Sequence, residues 1–464
     1  MFLKLVNSYQ NWGFGMLLRP IWFSKFLGLL LLLVLALPFT NKEAHAMKIE
    51  QVVSPKGIKA WLVQEKNVPL IAMRFAFNGG AAQDVPGKEG TAYLLSGMLD
   101  EGAGDLTSTQ FQEKIEEIAV RIGFDASRDN FSGSFQTLSE RKEEAFDLLK
   151  LAITQPRFDQ DALDRVRLQI LSSLKFEQNN PNNVATRAWF KSSFGEHPYA
   201  RPTKGTEDSL KTLTQDDLKE AHKKIFSREN LKIAVVGDVS VEELGLLLDK
   251  VFGDLPEKSG VATVPEAETV LGPVTDTIDM NIPQSVVQFG HQGLKRDDKD
   301  FIPAYILNYI MGGGGFASRL MEEVREKRGL AYSVYSYLYP LKHSALVLGG
   351  VATKNSSVPE AIELIKKEFN RMADEGPTED ELKNAQNYLT GSYALRFDTS
   401  SKIASQLLWI QVEGLGMEYI EKRNDMIKAV TISQIRDVAK RLFQGEKLRF
   451  TVVGKPVQEV PASQ

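Results

Sequence analysis

The chain repeats itself at one offset. Asn67-Val68-Pro69 leads into an apolar run holding Leu70, Ile71, Met73, Phe75 and Phe77, and Asn281-Ile282-Pro283 leads into Val286, Val287 and Phe289, 281 − 67 = 214 residues later. Leu231-Lys232-Ile233-Ala234-Val235-Val236-Gly237 returns as Leu448-Arg449-Phe450-Thr451-Val452-Val453-Gly454, 454 − 237 = 217 residues later. Two distant landmarks sharing nearly one offset predict two homologous domains, residues 47–256 and 278–464, in a chain of 464 residues. Residues 257–277 are rich in Pro, Gly, Val and Thr without helical period, and read as an extended linker.

Within each half, short β-branched runs such as Ile233–Val236 and Leu346–Val351 read as strands. Thr107 or Ser108 is placed to cap a helix with apolar Phe111, Ile115, Ile118 and Ile122, ending at Gly123. Further helices are expected over Glu143–Ile153 and from Gln160 on. Helices follow one another in pairs instead of alternating with strands. The expected class is therefore α+β, two homologous domains each with helices covering a largely antiparallel sheet.

Arg19 and Lys25 precede an apolar run from Phe26 to Phe39, and Ala44-His45-Ala46 supplies small residues for cleavage, so residues 1–46 read as a signal peptide. The run is shorter than the ~20 residues of a membrane span; an uncleaved anchor is the alternative. Without those 46 residues, which hold four basic and one acidic residue, the net charge becomes −4 − 3 = −7. The expectation is an exported protein, periplasmic in a Gram-negative source, with no stable membrane insertion after cleavage. No basic block points to nucleic acid. Cysteine is absent, which removes disulfides and thiolate chemistry.

Residues 90–102 read Gly-Thr-Ala-Tyr-Leu-Leu-Ser-Gly-Met-Leu-Asp-Glu-Gly. This frame resembles the insulinase and pitrilysin family of zinc metallopeptidases, whose inverted motif His-x-x-Glu-His follows a Gly-x-Ala lead and precedes Met and a Gly-containing turn. On that pattern the first His falls on Tyr93, the general-base Glu on Ser96 and the second His on Gly97. A zinc site needs three N, O or S ligands and an open fourth position, which these residues cannot supply. The family's third ligand, a later Glu, falls on Ser173 or Leu174, with Glu177 the nearest carboxylate. His45, His197, His222, His291 and His343 are scattered, no two of them four apart, so no cofactor is expected on this chain.

The second half carries Ser318-Arg319-Leu320-Met321-Glu322-Glu323-Val324-Arg325-Glu326-Lys327-Arg328-Gly329-Leu330-Ala331-Tyr332-Ser333-Val334, similar to the family's C-terminal motif, in which an Arg and a Tyr seven residues apart complete the active site. Those positions are Arg325 and Tyr332. Arg325 is expected to end a helix, Arg328-Gly329 to turn the chain and Tyr332 to open a strand. The structural alternative pairs Arg325 with a nearby Glu and packs Tyr332. Tyr335, Tyr337 and Tyr339 are expected opposite Tyr332, packed under helices in preference to lining a peptide channel.

Met311-Gly312-Gly313-Gly314-Gly315-Phe316 lacks the Gly-Lys-Ser/Thr ending of a phosphate loop. It resembles a short form of the glycine-rich loop of the non-catalytic subunit of mitochondrial processing peptidase, which makes Gly312, Gly313, Gly314 and Gly315 candidate substrate-binding residues; a flexible loop capping the helix is the bland reading. His197-Pro198-Tyr199-Ala200-Arg201-Pro202 resembles the family's loop after the third-ligand helix and is expected to be a structural turn. Asp100-Glu101 and Asp297-Asp298 are expected to be solvated acids.

An Arg and a phenol suit binding a carbonyl and stabilising the oxyanion formed from it. The resemblance implies a non-catalytic, substrate-binding subunit of a heteromeric zinc metallopeptidase acting on peptides and unfolded polypeptides. Its partner would be a homologous chain that bears the zinc motif and holds the zinc. A structural or peptide-holding subunit without a role in proteolysis is the rival, and a self-sufficient hydrolase has no recognisable site.

Overall fold

A computed structural model describes residues 47–269 and 274–456; the expected signal peptide lies outside them. The first half forms a six-stranded sheet from β1 (Glu50–Val53), β2 (Lys59–Gln64), β3 (Leu70–Asn78), β4 (Arg121–Ala126), β5 (Asn130–Leu138) and β6 (Leu231–Gly237), in the order β1-β2-β6-β3-β5-β4. The second half forms a five-stranded sheet from β7 (Thr275–Asp279), β8 (Gln284–Gln292), β9 (Ala331–Leu341), β10 (Ser344–Lys354) and β11 (Arg449–Gly454), in the order β7-β11-β8-β10-β9. Each sheet has one parallel pair, β2 with β6 and β7 with β11. Its other ladders are antiparallel.

Apart from β1, which has no counterpart, the two orders correspond strand for strand, β3 answering to β8 and β6 to β11, which are the two landmarks of the repeat. Even the strand ends agree. Gly237 and Gly454 have φ of 154° and 152°, and a Cβ at Gly237 would lie 2.1 Å from the Leu70 carbonyl oxygen. Only glycine allows that approach. The α+β class expected from the sequence is therefore the class observed.

Each sheet buries one face under its own helices. Ile71, Met73, Phe75 and Phe77 of β3 join Phe146, Leu149 and Phe252 in one core, and Val287, Phe289 and Val347 join Ile365, Phe369 and Val438 in the other. Helices Lys142–Thr154 and Gln160–Gln178 stand where the apolar period put them. The helix capped by Thr107 is shorter than expected: it spans Ser108–Glu117, and Ile122 and Gly123 lie in β4. It stops in a Schellman motif, with Ala119 N–H donating to Glu116 O, Val120 N–H donating to Ile115 O, and Ala119 at φ 52°. The β-branched residues that follow pair with β5 instead.

The opposite faces are covered by helices exchanged between the halves. Pro181–Phe194, from the first half, packs on β8 and β11, while Ser400–Val412, from the second, packs on β3 and β6. Trp189 is fully buried and its indole N–H donates to Arg449 O at 3.1 Å. Gly290 makes room, since a Cβ there would sit 2.9 Å from the indole. In return, Gln411 donates to Ile233 O at 2.8 Å, and the small side chains of Ala72, Ala76 and Ala234 floor the helix that carries it.

The linker runs extended through residue 269, tied by Gly260 N–H to Lys224 O, a reciprocal pair between Gln83 and Ala262, and Ala267 N–H to His343 O. Its expected last residues, 275–277, belong to β7, because their backbones find partners on β11. The described residues from Ile49 onward form one compact unit. Trp189→Ala is expected to cost about 3–5 kcal/mol and to leave a single unfolding transition at a lower urea midpoint. Two separated transitions would show that the exchanged helix does not couple the halves.

Candidate functional site

The frame of the metal motif forms the short helix Thr91–Ser96, entered through Gly90 at φ 91°. Asp84 caps its start, accepting from the backbone N–H of Gly90 at 2.8 Å and Ala92 at 3.0 Å, and burial pushes its carboxyl up to about 7. Ser96, at the general-base position, spends its hydroxyl on Tyr93 O at 2.7 Å. At Gly97 a Cβ would lie 3.0 Å from Val166 Cγ1 of the helix Gln160–Gln178, so a side chain at the second-imidazole position would crowd that valine.

A cation nevertheless occupies the place. Lys204 Nζ lies 2.5 Å from Glu177 Oε1 and 5.4 Å from the centre of the Tyr93 ring. The hydrogen bond to Glu177 raises the lysine's pKa, with the tyrosine adding to it. The structure thus brings together Tyr93, the first-ligand position, and Glu177, the carboxylate nearest the third, around an ammonium. Neither Ser173 nor Leu174 supplies a ligand: Ser173 hydrogen-bonds Glu177 and Leu174 is buried. These residues do not fit a zinc ion. Among the described residues no group of three or more His, Asp or Glu is placed to hold one. Lys204 was missed in the sequence, where a lysine 111 residues from Tyr93 carries no local signal.

The second-half motif is fully assembled. After Ser318–Leu320 the chain forms a π-helical turn, Met321–Glu326, closed by Gly329 at φ 62° with its N–H on Arg325 O at 2.8 Å. Glu323 holds this turn. It bonds Lys327 and Arg328, both at 2.7 Å, and lies 3.7 Å from Arg371. Burial opposes its charge, yet the hydrogen bonds from Lys327 and Arg328 and the charges of Lys327 and Arg371 hold its carboxyl down to about 2. Tyr332 then opens β9, beside a bulge between Val351 and Thr353 of β10.

Arg325 and Tyr332 meet as the sequence suggested. The guanidinium lies 4.7 Å from the Tyr332 ring centre and 4.6 Å from that of Phe316. Both rings are exposed, Tyr332 at 80% and Phe316 at 63%. The alternative in which Arg325 pairs with a nearby Glu is not what forms: among the described residues its guanidinium makes no ion pair. Phe316 escaped notice because it sits at the end of the glycine run, nine residues from Arg325.

The glycines divide. A Cβ on Gly312 would lie 2.5 Å from Ser336 N, one on Gly313 3.1 Å from the Asn308 side chain, and one on Gly314 2.8 Å from Tyr309 O, whereas Gly315 at φ 58° faces open space. The expected packing of the tyrosines under helices holds for Tyr339, which meets Phe190 of the helix Pro181–Phe194 edge-on, and needs correcting for the other two. Val334 and Ser336 take the buried face of β9, and Tyr335 and Tyr337 stack on each other at 46% and 39% exposure.

The other sequence candidates are structural. His197 accepts from Tyr199 N–H and bonds Pro265 O, and the buried Tyr199 donates to Asp129 at 2.7 Å, so this loop fastens the linker. Glu101 is no solvated acid: it accepts from Ser108 and bonds Arg165, while burial raises Asp100 to about 6. Asp298 pairs with Arg441. A cavity of about 860 Å³ lies between the β4–β5 turn, the linker and the β9–β10 turn, away from both motifs.

Two outcomes follow for these sites. Lys204→Met is expected to lower stability by about 1 kcal/mol, as for a half-exposed ion pair, and an unchanged urea midpoint would show that the ammonium ties nothing. Glu323→Gln is expected to cost about 3 kcal/mol at pH 7. Its folded pKa is depressed, so the wild-type advantage is fully present above the unfolded value of 4.5 and fades as pH falls toward 2. Urea titrations at pH 7 and pH 3 should show the gap between the two proteins closing.

Two family models match the chain in order: insulinase (peptidase family M16) over residues 61–207, and the peptidase M16 inactive domain over residues 212–389. The non-peptidase homolog YmxG of Helicobacter pylori is 28% identical, over 93% of this chain and 98% of its own. Among solved structures, a peptidase M16 inactive domain from Pseudomonas fluorescens superposes with a TM-score of 0.83 at 27% identity, covering 89% of this chain and all of its own. A protease from Helicobacter pylori shares the fold, with a TM-score of 0.80 at 18% identity over 88% of this chain and all of its own. With both halves matched, the motif's frame kept and its ligands replaced, this chain belongs to the insulinase family of peptidases, as a member without that family's zinc-binding residues.

Proposed function

We propose that this protein is the non-catalytic, substrate-binding subunit of a two-chain zinc metallopeptidase, one half of a clamshell that encloses unfolded peptides. The observation that carries this reading is an assembled Arg325–Tyr332 pair in a chain whose metal positions hold Tyr93, Ser96 and Gly97. Among the described residues nothing takes the N–H donors of Arg325 or the hydroxyl of Tyr332, the two donors needed beside a peptide carbonyl on which negative charge develops. The metal acting on that carbonyl belongs to a homologous partner bearing His-x-x-Glu-His. Residues 1–46 direct export and are removed, leaving a periplasmic protein in a Gram-negative source. Gly315, open to solvent, is the member of the glycine run best placed to meet a peptide.

The isolated chain is expected to show no chelator-sensitive cleavage of a long unstructured peptide. Mixed with a zinc-bearing homologue from the same source, it should restore turnover, and Arg325→Ala in this chain should then cut turnover by about 100-fold. Unchanged turnover in the Arg325→Ala pair would remove the assisting role and leave a structural or peptide-holding subunit. Chelator-sensitive cleavage by this chain alone would overturn the reading as a whole.

A further inference from the structure

The basic residues around the second-half motif are matched one by one to carboxylates. Arg319 takes Glu381, Lys327 takes Glu322 and Glu323, Arg328 takes Glu323, and Arg371 takes Glu368. Arg325 stands out. Glu322, one helical turn before it, is spent on Lys327, and among the described residues neither Glu326, its neighbour in sequence, nor any other carboxylate pairs with it. Among the described residues its charge meets only the Phe316 and Tyr332 rings, which leaves the planar edge of N–H donors without a protein acceptor. That edge is shaped for a carboxylate, which takes two parallel N–H donors.

We propose that Phe316, Arg325 and Tyr332 form a preassembled clamp for a peptide carboxylate. Phe316 acts as a positioning residue that keeps the guanidinium edge outward, Arg325 supplies the fork, and the Tyr332 hydroxyl adds a third donor. The carboxylate comes from the C-terminus of a peptide or from an Asp or Glu side chain. The inference rests on the reading above in taking Arg325 and Tyr332 as the substrate-facing pair. Binding by the chain alone needs no partner and no metal, so each idea can fail without the other.

The test uses the purified chain and three fluorescent peptides of one unstructured sequence: a free C-terminal acid, its C-terminal amide, and an amide with one internal Glu. Anisotropy titrations at low salt should give an acid-to-amide preference of about tenfold, the equivalent of one charge-assisted pair. The preference should vanish in Arg325→Gln, fall at least threefold in Phe316→Ala and return in Phe316→Tyr, with circular dichroism unchanged because Phe316 is largely exposed. If the Glu-containing amide binds as tightly as the acid, a side-chain carboxylate is the ligand and the clamp stands. Equal binding of all three peptides, no binding of any, or full preference in Phe316→Ala would overturn it.

Discussion

The placement of the motifs depends on the exchange of helices between the two repeats. Each sheet buries one face under helices of its own half, and its other face would lie open were it not for Pro181–Phe194 on one side and Ser400–Val412 on the other. The exchange is made possible by small residues, Gly290 under Trp189 and the alanines of β3 and β6 under Ala404 and Leu407. Burying an indole with its N–H satisfied by Arg449 O removes a large apolar surface at no hydrogen-bond cost. The Arg325–Tyr332 motif is thereby built into the same compact unit as the degenerate metal helix.

At the degenerate metal helix a carboxylate is balanced by an ammonium and not by a metal. A carboxylate at Glu177 half buried between helices is unfavourable without a counter-charge. Lys204 provides it, and the phenol of Tyr93 lies against the same ammonium where an imidazole would face a metal. On the neighbouring helix, Val166 stands against Gly97. Restoring histidines alone would therefore meet both a resident cation and Val166.

Most of the architecture could be read from the chain because repetition and hydrophobic period are local signals. The offsets between Asn67 and Asn281 and between Gly237 and Gly454 map onto corresponding strands. The end of the helix capped by Thr107 was misplaced because Ile122 extends a helical period that Ala119 interrupts in the left-handed region, and an alanine gives no warning of that. The Arg–Tyr pair was legible from its spacing. Phe316, Lys204 and the pairing of Arg319 with Glu381 depend on tertiary contacts, which no local pattern records.

The glycine run also guards a vulnerable part of the sheet. β9 is the outermost strand of its sheet, so one row of its backbone donors and acceptors has no strand beside it. Gly312 lies directly on Ser336 of that strand, Asn308 donates to Ser336 O and Met321 takes Val334 N–H. Side chains at Gly312 would push this cover away and leave an eleven-residue strand free to pair with another copy. The run thus protects the protein against edge-to-edge self-association, and a glycine variant that loses function will need its solubility examined before its substrate binding.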